Sequence, residues 1–415
     1  MSKSASEKRP SRGKRYRSLP RNVLALSLVS LLNDTSSEIV YPLLPAFLAL
    51  SLGASPFAIG LIEGFAESVA SLLKLISGYL SDRFGSRKLP VFLGYSLAAI
   101  TRPFLAFATT WPQVLVVRMT DRVGKGIRGA PRDALIAESV PPSRRGFAFG
   151  FNRAADHLGA VFGPVAGFLL LLLFAANTQS PTIIEYQKVF LFASIPVVIG
   201  LLVIAFFVSD KPKPFVRVKP AAPPSLSLKG FDGNFKRFLV VIAIFTLSNS
   251  TDAFLLLRAT ESGISPLMLP LLWMTLHFSK VVSSLIGGEL SDRFGRKTLI
   301  ISGWAIYALV YVGFAFVTSA WQCWLLFIIY GAYFGLTEGV EKAFVADMVT
   351  AKNRGTAYGL YNLAFGITVF PASLLFGLVW NEYGAATAFL ASAAVSVGAI
   401  ILLTMIKSGR PIVAT

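Results

Sequence analysis

Eleven charged side chains lie deep inside apolar runs in the first half of this chain: the acids Asp34, Glu38, Glu63, Glu67, Asp121 and Asp156, and the bases Lys74, Arg118, Arg122, Lys125 and Arg153. A charge in apolar surroundings costs at least a few kcal/mol unless it has a partner or a wet cavity, so such residues are functional or mutually neutralising. They can carry a proton, hold a charged solute, or pair with one another. Proton exchange requires a carboxyl reached in turn from two sides, and Asp34, Glu38, Glu63, Glu67 and Asp156 are the candidates. Glu63 and Glu67 stand one helical turn apart; with Lys74 they could equally form an ion-pair ladder between helices. Solute binding points to the stretch from Arg118 to Asp133. At 100° per residue, Arg118, Asp121, Arg122, Lys125, Arg132 and Asp133 share about a third of a helix circumference. This basic stripe either meets substrate charge or is neutralised internally, Asp121 by Lys125 and Asp34 or Glu38 by an arginine. Five bases against six acids are close to balance, leaning only slightly to an anionic substrate over a zwitterion or cation.

The elements that must position these groups are membrane-spanning helices. With 54% hydrophobic residues, 14% charged residues and a mean hydropathy of +0.65, the chain would expose too much apolar surface as a soluble domain. A spanning helix needs about 20 mostly apolar residues. Twelve runs qualify: 22–50, 55–80, 89–109, 112–134, 146–174, 187–208, 237–258, 264–288, 298–318, 320–346, 355–380 and 384–406. The first follows basic residues as a signal peptide would, yet it lacks a small-residue cleavage site and contains Asp34, Glu38, Pro42 and Pro45, so it reads as a retained helix. The expected organisation is a basic tail (1–21), a six-helix bundle (22–208), a linker (209–236) rich in Pro, Lys and Ser, a second six-helix bundle (237–406) and a short tail (407–415).

A net charge of +18 does not imply nucleic-acid binding, because the basic residues gather at run ends. Residues 1–21, the 83–88 and 144–145 loops, the linker, the 293–297 loop and the 352–354 loop carry them, whereas 51–54 and 319–320 carry none. The positive-inside rule therefore puts both termini and the linker in the cytoplasm. The single cysteine, Cys323, excludes an internal disulfide and a cysteine-based metal site. There is also no phosphate-binding glycine loop ending in Lys-Ser or Lys-Thr, which argues against an ATP-driven pump or related enzyme, and no cofactor is expected.

Two polar loops repeat. Gly78-Tyr-Leu-Ser-Asp-Arg-Phe-Gly-Ser-Arg-Lys88 and Gly288-Glu-Leu-Ser-Asp-Arg-Phe-Gly-Arg-Lys297 place their aspartates 210 positions apart, after the second and eighth runs. Glu138 to Arg145-Gly146 likewise mirrors Asp347 to Arg354-Gly355, and Asn33-Asp34 mirrors Asn249 to Asp252. The chain is a duplication. Aligning the halves sets His277 opposite Glu67, and sets uncharged Phe327, Tyr330 and Phe334 opposite the basic stripe.

Twelve helices in two related halves with this loop in both copies resemble the major facilitator superfamily of secondary transporters. The run from Asp121 to Asp133 is similar to a prokaryotic branch whose members have no assigned substrate. The resemblance implies an all-α fold of two pseudo-symmetric six-helix bundles in a prokaryotic inner membrane, working as a monomer on a small-molecule substrate with protons. It assigns Gly78, Asp82, Arg83, Gly85, Gly288, Asp292, Arg293 and Gly295 to gates, consistent with a carboxylate favouring a helix N-terminus. Helices one, four, seven and ten should surround a cavity. That places Asn33, Asp34, Glu38, Arg118, Asp121, Arg122, Lys125, Asn249, Asp252, Tyr330, Tyr333 and Glu338 about the substrate. In helix five, Gly150, Gly159, Gly163, Pro164 and Gly167 resemble the glycine motif of the superfamily's antiporters, with Phe168 at its final position. Such small residues let backbones approach closely. The expectation is proton-coupled efflux by alternating access. An uptake symporter or facilitator of a small organic anion or zwitterion is the first alternative, a non-transporting receptor or scaffold the second.

Overall fold

The structure, a computed structural model, describes residues 19–84, 86–141, 144–210, 227–350 and 353–406. Its described side chains exclude those of 78–84, 146, 285, 288, 289 and 292. Twelve long helices follow one another. In the first half they are α1 (Arg21–Val40), α2 (Pro56–Phe84), α3 (Lys88–Thr101), α4 (Trp111–Ser139), α5 (Arg145–Phe174) and α6 (Ile183–Phe207). In the second half they are α7 (Gly233–Ser248), α8 (Leu269–Phe294), α9 (Arg296–Phe316), α10 (Ala320–Asp347), α11 (Arg354–Tyr383) and α12 (Ala385–Thr404). Among the described residues nine helices are long and apolar enough to cross a membrane. α4 is not one of them, because it carries charges from Arg118 to Glu138. Leu28, Val116, Leu173, Phe206, Leu309 and Ile401 stay exposed, as a lipid-facing surface requires.

Local sequence explains the irregular points. α1 ends at Val40 and resumes as Leu44–Ala46 and a π-helical turn, Phe47–Ser51. Pro45 has no N–H to continue the ladder, and Pro42 likewise removes a donor. The run expected over 237–258 is also split, into α7 and Ala253–Glu261. Between the pieces, Asn249, Ser250, Thr251 and Asp252 offer side-chain partners that compete with helical bonds: the Thr251 hydroxyl accepts from Ala253 N–H at 3.4 Å. Gly295 (φ 84°) is the single-residue joint between α8 and α9, a left-handed conformation that suits glycine. The duplication reappears in the caps. Gln113 accepts from Thr109 and Thr110 N–H before α4, and Gln322 from Thr318 and Ser319 N–H before α10.

In the first half α1 packs on α5 and α6, and α4 on α2 and α3; in the second, α10 packs on α8 and α9, and α12 on α9. The halves meet where α2 lies along α11 and α5 along α8. Close approach needs small residues: a Cβ on Gly64 would lie 2.7 Å from Ser373 Cβ, and one on Gly377 2.5 Å from the Pro56 carbonyl oxygen. Among the described residues, contacts joining the halves include Ser68 to the Gly366 carbonyl (2.6 Å), Trp273 to Glu38 (2.6 Å) and His277 beside Glu38 (3.7 Å). The Glu38 contacts fall at the end away from the basic loops. At that far end the space bounded by Tyr41, Leu44, Leu48, Ile59 and Ala253 has no room for a water molecule. Toward the basic loops Lys74, Lys125, Arg153, Glu338 and Lys342 are exposed.

Candidate functional site

The buried charges of the first half are matched in a fixed pattern. Arg118 grips Glu63 with both arms of its guanidinium, Nε to Oε1 at 2.8 Å and Nη2 to Oε2 at 2.5 Å, with both side chains almost fully enclosed. One turn on along both helices, Arg122 Nη2 lies 3.2 Å from Glu67 Oε1. Because each pair of partners is spaced by four residues, the bonds form parallel rungs between α2 and α4. Gly126 allows this packing, since a Cβ there would lie 2.5 Å from Leu73 Cβ.

A second cluster centres on Asn33. Arg102, at the end of α3, donates to Asp121 Oδ1 and to both the Asn33 carbonyl and Asn33 Oδ1, each at 3.0 Å. Arg128 also donates to Asn33 Oδ1 (3.2 Å), and its guanidinium lies 4.3 Å from the Tyr95 ring centroid. Arg132 reaches Ser30 Oγ at 3.0 Å and Asp156 at 3.9 Å, and Arg153 approaches Asp156 at 3.7 Å. The expected neutralising pairs are thus replaced. Asp121 is held by Arg102 rather than Lys125, and among the described residues no arginine lies within 4 Å of Asp34 or Glu38. Lys74 is exposed and outside the ladder. Asn33, Arg118 and Asp121 are buried and engaged with these partners rather than open between the halves.

Asp34 and Glu38 remain. Among the described residues, Asp34 accepts from the Asn33 amide alone, at 3.0 Å. Glu38 Oε2 accepts from Trp273 Nε1, and His277 Nε2 lies 3.7 Å from the same oxygen. Both acids are positioned by α5. A Cβ on Gly159 would lie 2.9 Å from Asp34 Cβ, one on Gly163 2.5 Å from Glu38 Cβ, and one on Gly167 3.1 Å from the Ile39 carbonyl oxygen. Gly150 has nothing within 4 Å of such an atom, so it takes no part in this contact. Pro164 lies inside α5.

Across the seam, Asn249 donates to the Tyr333 hydroxyl at 3.2 Å and the Tyr330 hydroxyl donates to Asp252 Oδ1 at 2.8 Å. Tyr330 stacks with Tyr333, and Tyr307 with Tyr311. Lys280 Nζ sits 3.8 Å from Asp252 Oδ2 and 3.5 Å from the Phe334 ring centroid. Glu338 is exposed and pairs with Lys342 on its own helix at 3.5 Å. Sequence reasoning passed over Arg102, Arg128, Trp273, Lys280 and Glu341, the last buried and accepting from Trp304 Nε1 (2.9 Å) and Tyr361 hydroxyl (2.6 Å). The ionisable ones among these carried the same signal as the residues singled out, a charge inside an apolar run.

At the basic end, Gly85 and the side chains of Gly78, Asp82, Arg83, Gly288 and Asp292 lie outside the described residues; Arg293 is exposed and Gly295 forms the joint noted above. The basic residues just beyond the two loops are tied down equivalently: Arg87 to Glu138 at 3.2 Å and Arg296 to Asp347 at 2.9 Å.

Twelve helices in two repeated halves, with polar groups gathered at their seam, define a polytopic membrane transport protein. A model described as the Major Facilitator Superfamily matches residues 26–274 and again 237–413. An uncharacterised MFS-type transporter of Methanocaldococcus jannaschii is 35% identical over 376 residues, covering 88% of this chain and 90% of that protein. The chain belongs to the Major Facilitator Superfamily and is a transporter, not an enzyme. The class C tetracycline resistance protein of Escherichia coli is 27% identical over 390 residues, covering 90% of this chain and 92% of that one. Among solved structures, a D-xylose–proton symporter shares the fold with a TM-score of 0.74 at 18% identity, covering 95% and 99% of the two chains.

Proposed function

We propose that this chain exports a small molecule in exchange for protons, alternating access between two faces as its halves rock about the seam. The observation that carries the reading is the isolation of Asp34 and Glu38. Protonating Glu63 or Glu67 would strip an arginine of its partner, at a cost of several kcal/mol in the enclosed pair. Asp34 and Glu38 can change protonation without breaking an arginine or lysine pair within 4 Å, and Glu38 also bonds across the halves to Trp273. A proton there would act on the contact that closes one face. The glycines of α5 that hold these two acids against it favour antiport. With the basic loops in the cytoplasm, the sealed end faces outward and the conformation is inward-facing.

The test begins with a compound-susceptibility screen of cells with and without the gene, followed by flux of a hit in proteoliposomes under an imposed pH gradient. Uphill flux should collapse on adding uncoupler, and Asp34→Asn and Glu38→Gln should each abolish its pH dependence. Flux indifferent to the gradient would make the chain a facilitator; accumulation in the direction of the proton would make it a symporter.

A further inference from the structure

The ammonium of Lys280 is held as an amine ligand would be. A desolvated cation is stabilised by aromatic faces within about 6 Å and by a fixed counter-charge. Lys280 Nζ has both: the Phe334 centroid at 3.5 Å, the Trp273 centroid at 5.6 Å and Asp252 Oδ2 at 3.8 Å. The cage is preorganised. The Tyr330 hydroxyl fixes the carboxylate through Oδ1, and Tyr330 packs edge-on against Phe334 with centroids 5.1 Å apart. The side chains of Lys280 and Asp252 are 21% and 19% exposed, so the cage is open on one side rather than sealed in the core. A tethered ammonium occupying a cage open to the seam is what a resting plug would look like.

We propose that the substrate is an organic cation, aromatic or otherwise apolar in its body, whose positive nitrogen replaces the Lys280 ammonium between Phe334, Trp273 and Asp252. The assignment rests on the reading of the seam as the path of a carried molecule. Local charge favours it over an anion. Among the described residues, Asp34, Glu38 and Asp252 have no arginine within 4 Å, and of these three Asp252 alone has a lysine that close. An anion recruited by Lys280 would have to separate it from Asp252 and then face that carboxylate. A cation in the cage meets the Asp252 carboxylate and two ring faces. Displacement also has a consequence for the halves. Trp273, His277 and Lys280 lie on one face of α8, spaced by four and three residues, and the first two already meet Glu38 of α1. A Lys280 released from Asp252 is delivered toward the carboxylate that joins the halves at the sealed end.

The experiment measures binding of tetraphenylphosphonium, a permanent cation that carries no exchangeable proton, and of tetraphenylborate, its anionic counterpart, to the purified full-length protein in detergent. Wild type should bind the cation and not the anion. Lys280→Met, which keeps the unbranched chain as far as Cε and removes the ammonium, should tighten cation binding about tenfold by removing the competitor. Phe334→Leu, which changes no charge, should weaken it several-fold, and Lys280→Arg should leave the cage occupied. Melting curves confirm that each variant is folded. Anion binding lost in Lys280→Met would overturn the proposal and make Lys280 the substrate's counter-charge, as would cation binding unaffected by both Lys280→Met and Phe334→Leu. Gradient-driven flux of a different solute without cation binding would refute the cation class alone. Cation binding without gradient-driven flux would leave this site standing and remove the antiport reading.

Discussion

Replacing Arg118 with glutamine should destabilise the protein far more than it impairs binding. Glu63 is 1% exposed and Arg118 6%, and the guanidinium occupies both carboxylate oxygens. Arg118→Gln leaves an ionised carboxylate enclosed between α2 and α4 with its two charge-assisted bonds gone. Breaking such a pair by removing one partner costs about 3–5 kcal/mol. At about 2–4 °C per kcal/mol for a unit the size of one six-helix half, the melting temperature should drop by roughly 6–20 °C. Glu63→Gln should cost a similar amount, for the same reason with opposite sign. The double variant Arg118→Gln/Glu63→Gln places two neutral amides in the gap and should recover most of the loss. The adjacent rung is an internal control: Glu67 is 34% exposed in its side chain, so Arg122→Gln should cost only about 1 kcal/mol. The assay is thermal unfolding in detergent, followed by size-exclusion recovery and by flux of whichever compound the susceptibility screen yields. Single variants as stable as wild type, or a double variant as unstable as the two singles added together, would refute the buried-pair argument. A stable double variant that had lost flux would move the pair from scaffold to site.

Gly163→Ala should cost about 1–3 kcal/mol and slow flux, because its Cβ would lie 2.5 Å from Glu38 Cβ and 2.8 Å from the Thr35 carbonyl oxygen, whereas Gly150→Ala should be neutral or slightly stabilising, having nothing within 4 Å. Measured together by melting and flux, equal effects at the two glycines would contradict the α1–α5 packing. Reporters fused to either terminus or inserted near Pro223 should be cytoplasmic and tags in the 178–181 loop should label from outside; an externally labelled linker would reverse the orientation. Asp82→Asn and Asp292→Asn should leave the protein folded yet slow turnover and alter which face admits a cysteine reagent, and unchanged turnover in both would reduce the repeated loops to topology signals.

The sequence alone determined the fold class, the duplication and the division into two six-helix units, because apolar length and charge placement are one-dimensional properties that lipid reads directly. It also singled out Asp34, Glu38 and the α4 stripe as charges in apolar runs. The breaks at Tyr41–Leu43 and Asn249–Asp252 were not read from the sequence, where 22–50 and 237–258 stood as continuous runs, although Pro42 and Pro45 lie in the first and a string of short polar side chains in the second.

What the tertiary structure decided was partnership. From sequence, Arg118 had several carboxylates it could neutralise, and only the packing of α4 on α2 delivers it to Glu63. Asp121 and Lys125 have the spacing of a helical pair, yet Arg102 arrives from α3 and takes the carboxylate. The same sorting leaves Asp34 and Glu38 without an arginine or lysine within 4 Å among the described residues and seats Lys280 among groups drawn from α8, α10 and the break after α7. Spacing along a chain fixes which residues share a helix face, but an ion pair forms with whichever opposite charge a neighbouring helix brings within reach. In a low-dielectric interior that choice outweighs local preference, since a few ångströms change a charge–charge interaction by several kcal/mol.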